Sequence, residues 1–379
     1  MSTRIQRRGG TAAEHEAFTG APREITVDTT NNTLRLHDGA TAGGHPVLMK
    51  RDAGELVGFR NKIINGDFEI WQRGETGFAA TGYCADRWFW RPSTGGTGTV
   101  VKSGFVLGGI PEIPSAPRYY AYINQSIAGT ETCYIEQRIE GVETLAGQEA
   151  TVTAYVKPDA ATDVAVGLVQ FFGTGGTPSG PVYTEVMPAT SYPSSGWTKI
   201  QVQFTLPSIA GKALGSDGND YVALRFIFDP TVVFTVRMTH VSLIKGDATA
   251  EDDPFEPRHK QQELALCQRY YCKSYEIDTA PGTLTSIASL MRRNVAGTNV
   301  QGAFGFVQRF PVAMRTLPTL IAYSPQNGAS GYGWDAANST NITYAFNYAS
   351  SVGFNLENSS GFAGGNGYSQ VHWSADAEL

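Results

Sequence analysis

Charge is scarce in this 379-residue chain: charged residues make up 17% of it, and the formal net charge of −6 is spread without a basic run. The electrostatic footprint of a nucleic-acid binder is therefore missing. Long apolar stretches are missing too, none approaching the ~20 residues of a membrane span, so no insertion into a bilayer is expected. Arg4, Arg7 and Arg8 are followed by no apolar core, which argues against a signal peptide and predicts a soluble protein synthesised in the cytoplasm. Cysteine is sparse, with Cys84, Cys133, Cys267 and Cys272 lacking metal-ligand spacing. In a reducing compartment these read as buried free thiols, with a Cys84–Cys133 disulfide as the alternative. His15, His37, His45, His240, His259 and His372 are scattered, and none joins a Ser/His/Asp set or a His-x-x-x-His pair. Nucleophilic and zinc chemistry thus have no candidate residues. No internal repeat has a solenoid or propeller period.

What the chain does have is 43 Gly, 19 Pro and 11% aromatics, a turn-dense composition that predicts an all-β fold. Its length suits two or three domains. Glu24 to Val27 and Thr33 to Leu36 alternate polar and apolar residues around Thr29-Thr30-Asn31-Asn32, predicting a hairpin in a small N-terminal β module spanning 1–58. So small a module buries little surface, which favours association; a loose N-terminal arm is the alternative. Residues 51–60 read as a short polar connection.

A central β-sandwich follows over 59–257. In Thr198 to Leu206, Ile200, Val202, Phe204 and Leu206 point one way, as in a half-buried strand, and Val152, Ala154 and Val156 do the same. Val164 to Phe172 and Tyr221 to Phe228 are more uniformly apolar, as inner strands would be. Along Phe234 to Ile244 the apolar phase slips by one residue, predicting a β-bulge near Thr239-His240. Trp88 and Trp90 share one strand face and Phe89 takes the other, with the core as the expected place for the tryptophans. Beyond the Pro-punctuated boundary Asp247 to Pro257, the apolar stripe Leu264, Cys267, Tyr271 and Tyr275 predicts a linking helix over Gln261–Tyr275. Strands resume in a C-terminal β-sandwich tip, within 258–379.

The sandwich opens with a stretch in which Ile63, Ile64, Phe68, Ile70 and Trp71 read as a strand interrupted by an Asn65-Gly66-Asp67 turn. Asn65 to Gly74, paired with the downstream Ala85-Asp86-Arg87-Trp88, resembles the opening of the carbohydrate-binding-module-like jelly roll of bacteriophage tail fibres. Arg7 to Glu14, Pro22 to Val27 and Leu36-His37-Asp38-Gly39 look like the N-terminal module of phage major tropism determinants. Pro254 to Arg258 with Glu263 to Tyr271, Phe310 to Thr319, and Trp373 to Leu379 are similar to the joint and tip of such fibres. The resemblance implies a receptor-binding fibre located in the virion. It implies a homotrimer docked through its N-terminal module on the phage tail or baseplate; in a trimer the linking helices can pack on the symmetry axis, with a helix lying on its own sheet as the alternative.

Asp67 and Glu69, two residues apart, present two carboxylates that suit either a structural calcium ion or a solvated strand edge. Related jelly rolls place acidic residues before the Val-Ser-Leu where this chain has Thr239 and His240, which weakens an inherited calcium site. No carboxylate pair has the context of a glycosidase, so the expected function is non-enzymatic adhesion to a host surface glycan or protein, with no cofactor. A tail-associated polysaccharide depolymerase is the alternative. Receptor contacts are expected in the distal segment 324–370, where Tyr332, Trp334, Tyr344, Tyr348 and Tyr368 sit among Gly, Asn and Ser, the mix of rigid aromatics and adaptable polar groups that suits recognition.

Overall fold

The structure, a computed structural model, describes residues 7–47, 60–106, 112–251, 253–294, 305–358 and 367–379. The polar connection expected at 51–60 lies outside them except for Arg60. The chain divides into two compact units, Met1–Arg60 and Asn61–Leu379.

In the first unit Thr11 caps a short helix, α1 (Ala12–Glu16), through a reciprocal capping box with Glu14. Strands β1 (Gly9–Gly10), β2 (Ile25–Asp28), β3 (Thr33–Leu36) and β4 (His45–Val47) form one sheet in that order. The expected hairpin is β2 and β3, with Val27 opposite Leu34. The module is folded around polar groups. The Nε2 atoms of buried His15 and His37 lie 2.8 and 2.9 Å from Thr26 Oγ1. The fully buried Asp28 receives a two-pronged bond from Arg35 at 3.0 and 3.1 Å. Cross-strand register puts Ile25, Val27, Leu34, Leu36 and Val47 together on the opposite face, where Leu36 and Val47 are exposed.

The second unit is all-β apart from one helix among the described residues. Its sandwich is built from β5 (Gly82–Tyr83), β6 (Trp88–Arg91), β7 (Thr97–Gly104), β8 (Tyr119–Ile127), β9 (Cys133–Glu140), β10 (Glu149–Pro158), β11 (Thr162–Phe171), β12 (Val182–Tyr192), β13 (Thr198–Thr205), β14 (Tyr221–Phe228) and β15 (Phe234–Lys245). One sheet has the order β13-β10-β15-β8-β7 and the other β12-β11-β14-β9-β6-β5. Their inner faces bury a single core that includes Trp71, Trp88, Trp90, Ile135, Val152, Leu224, Phe226 and Met238. As the apolar runs suggested, β11 and β14 are paired on both edges. The bulge is where the phase slip put it: the β10–β15 register shifts opposite Ala154, and His240 takes a left-handed φ of 57°. All four cysteines are buried free thiols, so the Cys84–Cys133 disulfide does not form.

Helix α2 spans Lys260–Gln268, capped by the His259 side chain, and is shorter than expected. Tyr271–Lys273 leaves the helix to become strand β16, because the backbone of Tyr271, Cys272 and Lys273 pairs with Asp376, Ala375 and Ser374. Tyr271 and Tyr275 therefore do not extend a helical stripe. The tip continues through β17 (Leu290–Asn294), β18 (Gly305–Arg309), β19 (Thr319–Tyr323), β20 (Tyr332–Asp335), β21 (Thr340–Ser350), β22 (Gly353–Asn358) and β23 (Gly367–Asp376). Strand β23 is the hub, pairing with β16, β17, β19 and β20. A second core gathers Cys272, Phe310, Met314, Phe354, Leu356, Val371 and Trp373 beneath it.

Candidate functional site

The stretch that opens the sandwich is not a strand. Asn65 and Phe68 take left-handed φ values of 57° and 55°, and the backbone from Asn61 to Trp71 is irregular. Side chains replace the ladder that a strand would have provided. The Asn65 amide donates to Ile70 O at 2.8 Å and Asp86 O at 3.1 Å, while its oxygen accepts from Ile70 N at 2.9 Å. Gly66 is required here, since a Cβ would sit 2.2 Å from Val241 O. Phe68 stacks on Trp88 with ring centroids 4.8 Å apart, and Trp88 Nε1 donates to Asn65 O at 2.9 Å.

The polar residues of this stretch face the tip. Gln72 Nε2 bridges Asp86 Oδ1 and Tyr271 O, both at 2.7 Å. Arg73 pairs with Asp376 at 2.9 Å and lies 3.8 Å over the Tyr271 ring. Arg87, with a left-handed φ of 71°, is bound to Glu378 and stacked 3.4 Å over Tyr270; both charged side chains are buried. Arg269 reaches Glu140 at 2.9 Å, and Tyr83 Oη donates to Leu379 O at 2.8 Å. The residues that carried the resemblance to tail fibres thus build the seat of α2, β16 and the residues after β23.

Asp67 and Glu69 belong to this seat. Glu69 is paired with Lys260 at 2.9 Å, and the neighbouring Glu263 is held by Arg258 at 3.1 Å and by Asn65 N. No group of three His, Cys, Asp or Glu among the described residues is arranged to hold a metal. Lys260 takes up the Glu69 carboxylate, and the irregular backbone removes the strand spacing that was to align Glu69 with Asp67, so the calcium reading of Asp67 and Glu69 loses that alignment.

Burial, with the Glu263 and Glu69 carboxylates close by, pushes the Asp67 pKa up to about 7. A carboxyl with a raised folded-state pKa gives stability that is full below its unfolded value near 4 and is lost as pH rises through 7. Asp67→Asn is expected to remove that loss, stabilising the unit at pH 8 by about 1–2 kcal/mol more than at pH 5, a figure reduced for solvent screening because the side chain is not fully buried. Chemical denaturation of both proteins at the two pH values checks this.

On the tip, strand alternation sorts the five aromatic candidates. Register places Met291, Gln370, Trp334 and Asn341 in one row across β17, β23, β20 and β21. Tyr332 and Tyr368 share that face, two residues away on their own strands. Tyr332, Tyr368 and Met291 are exposed and Trp334 is half-buried; they form a diagonal apolar stripe in which Tyr332 and Tyr368 lie on opposite sides of the row, level with His372 and Ala336. Gln370 is buried among them, with Nε2 3.4 Å from Ser289 Oγ.

Two of the five are elsewhere. Tyr344 lies on the inner face, buried in the tip core, and burial pushes its pKa up to about 12. It is removed as a contact residue. Gly333 makes that packing possible, because a Cβ there would meet the Tyr344 ring at 2.4 Å. Tyr348 is 85% exposed with φ 50°, at the register shift between β21 and β22. It is about 23 Å along the strand from Asn341 at the usual strand rise. His372 is structural: Tyr275 stacks on it at 3.7 Å, and its nitrogens lie 2.9 Å from Ser274 Oγ and 3.0 Å from Thr285 O. Sequence reading missed Met291, whose place on the stripe depends on the long-range pairing of β17 with β23.

Residues 5–41 match the family described as the major tropism determinant N-terminal domain. The tail fiber receptor-binding protein of Bordetella phage BPP-1 is 68% identical over 47 residues, 12% of this chain and 12% of that protein. The match therefore spans about an eighth of the length of that curated relative. Among solved structures, a family 4 carbohydrate-binding module is 17% identical, with a TM-score of 0.29, covering 48% of this chain and 98% of its own. A xylan-binding domain from Paenibacillus barcinonensis is 14% identical, with a TM-score of 0.29, covering 47% of this chain and 98% of its own. Tailspike protein 4 of bacteriophage CBA120 is 12% identical, with a TM-score of 0.29, covering 49% of this chain and 22% of its own.

Proposed function

We propose that this chain is a receptor-binding fibre protein of a phage tail that adheres to the host surface without catalysis. The match of its N-terminal module to the tropism determinant domain supports the assignment to a virion tail, with that module as the attachment end. The observation that carries the receptor reading is the stripe of Tyr332, Trp334, Tyr368 and Met291 on the outer face of the tip sheet. Aromatics give large contact area at small entropic cost, and a solvent-facing group of them needs a partner to be favourable. Incubating the protein with polysaccharide from a host that it binds is expected to release no new reducing ends. Sustained turnover would establish the depolymerase alternative instead.

The chain acts as a homotrimer. In the first unit the interior is the polar cluster of His15, Thr26, His37 and Asp28, whereas Ile25, Val27, Leu34, Leu36 and Val47 gather on the other sheet face. A module of this size gains stability by covering that face with other copies, and several copies of a weak site raise avidity. Mass measurement at micromolar concentration is expected to give three chains. Leu34→Asp with Leu36→Asp is expected to shift the protein toward monomer by at least tenfold in its dissociation constant; a wild type that is a stable folded monomer contradicts the trimer.

A further inference from the structure

The N-terminal module buries two imidazoles whose protons follow from their hydrogen bonds. Gly20 N donates to His37 Nδ1 at 3.2 Å, so that nitrogen is bare and His37 carries its hydrogen on Nε2. At the other end His15 Nδ1 lies 2.9 Å from Thr11 O, which can only accept, so neutral His15 carries its hydrogen on Nδ1 and leaves Nε2 bare. Thr26 Oγ1 therefore accepts from His37 Nε2 and donates its single hydrogen to His15 Nε2. With both imidazoles neutral, this order satisfies both rings and the hydroxyl between them. It has no place for a further proton.

A proton added to His37 Nδ1 would set two N–H groups against each other across 3.2 Å, and one added to His15 Nε2 would take away the acceptor of the Thr26 hydroxyl. The His37 ring has no room to swing aside. A Cβ on Gly20 would stand 2.5 Å from its Cγ and one on Gly44 2.7 Å from its Nδ1, so backbone packs directly on it, and Phe18 meets it edge-on with centroids 5.2 Å apart. His15 stacks at a centroid distance of 6.3 Å, too close for two buried imidazolium charges. The charged groups around the pair are engaged with one another. From α1, Glu14 accepts from Thr11 N and Oγ1 at 2.7 and 3.0 Å. Beside β1, Arg8 pairs with Glu24 at 3.3 Å and lies over the Phe18 ring, and across β2 and β3 Arg35 binds Asp28. Asp38 is held by Thr41 and His45, while Arg7, Glu16 and Arg23 are exposed. A cavity of about 210 Å³, lined by Glu14, His15, Phe18 and Thr26 among others, leads water to the pair.

We propose that the His37–Thr26–His15 chain is an acid-sensitive latch, which keeps the module of residues 7–47 closed at neutral pH and opens it in mild acid. Ordinary imidazole takes up a proton near pH 6.5, and the opened module offers both histidines to protons that the closed one refuses. Stability from the latch is therefore full above that pH and is lost as pH falls below it, opening becoming about tenfold easier per pH unit for each histidine. The carboxylates act in another window. Burial raises the Asp28 pKa, but Asn31 and Arg35 bring it down to about 2, so its contribution fades only below the unfolded value near 4. The latch is a property of the module itself, whatever the module docks on.

The test is hydrogen–deuterium exchange of the full-length protein at pH 7.5 and 5.5, corrected for the pH dependence of free amides and read on peptides from residues 7–47. Wild-type protection there is expected to fall at least tenfold between the two, with peptides from 61–379 as the internal reference. His45→Gln removes the exposed pair with Asp38 and is expected to respond like the wild type. His15→Asn keeps a donor for Thr11 O and His37→Asn keeps an acceptor for Gly20 N, and each leaves one titrating imidazole in the chain. Both are expected to show about half the wild-type slope on a logarithmic scale. Wild-type protection that is unchanged at pH 5.5 overturns the proposal, and this result decides even where an Asn variant is already open at pH 7.5. A full wild-type slope in both Asn variants overturns it too, as does loss of the slope in His45→Gln.

Discussion

Glu378→Ala is expected to destabilise the unit spanning 61–379 by about 3–5 kcal/mol, the usual cost of stripping one partner from a buried ion pair. Glu378 and Arg87 are 4% and 1% exposed at the side chain, and Arg73 approaches the same carboxylate at 3.4 Å. Removing the carboxylate leaves the Arg87 guanidinium in the seat with, among the described residues, Arg138 O and the Tyr270 ring as its remaining contacts. In the wild type Glu378 raises the Arg87 pKa against the effect of burial; without Glu378 the guanidinium, whose intrinsic pKa lies far above neutral, still cannot escape by losing a proton. Replacing both members, as Arg87→Met with Glu378→Leu, is expected to recover most of the loss, because an apolar pair of similar volume needs no desolvated charge. Thermal melting and urea titration of the single and double variants check both statements. A cost below about 1 kcal/mol for Glu378→Ala would class the pair with exposed salt bridges and remove the seat as a source of rigidity.

Trp334→Ala is expected to cost at least ~2 kcal/mol of receptor binding, roughly thirtyfold per site, with little change in folding. Its indole is half-buried on the outer face of β20, away from the core that Tyr344 enters from the other side. Trp88 is the contrasting case: fully buried, stacked on Phe68 and hydrogen-bonded to Asn65 O. Its replacement by Ala is expected to cost about 3–5 kcal/mol of stability.

Where local pattern decides structure, the sequence was legible. The alternation in Thr198 to Leu206 became β13 with Ile200 and Leu206 inward, and the phase slip near His240 became a bulge. The N-terminal hairpin also formed as its turn residues indicated. Local pattern fell short wherever distant partners set the outcome. Ile63 to Trp71 has apolar residues enough for a strand, yet Asn65 bonds Ile70 and Asp86 instead, and Gly66 must pass close to Val241. Helical spacing in Tyr271 and Tyr275 gave way to pairing with β23, about a hundred residues away. Among the site candidates, the i, i+2 spacing of Tyr332 and Trp334 already placed them on one face. The burial of Tyr344 required knowing that Gly333 opens room beneath the sheet. The proton order of the N-terminal module was invisible because Thr11, Gly20, Thr26 and the two histidines meet only in the fold.

The most direct test is cell adsorption and thermal melting of Trp334→Ala beside Trp88→Ala, each in the full-length protein. Trp334→Ala is expected to melt like the wild type and to lose adsorption about thirtyfold, while Trp88→Ala melts early. Early melting of Trp334→Ala, together with a folded Trp88→Ala that no longer adsorbs, would contradict a receptor site on the tip.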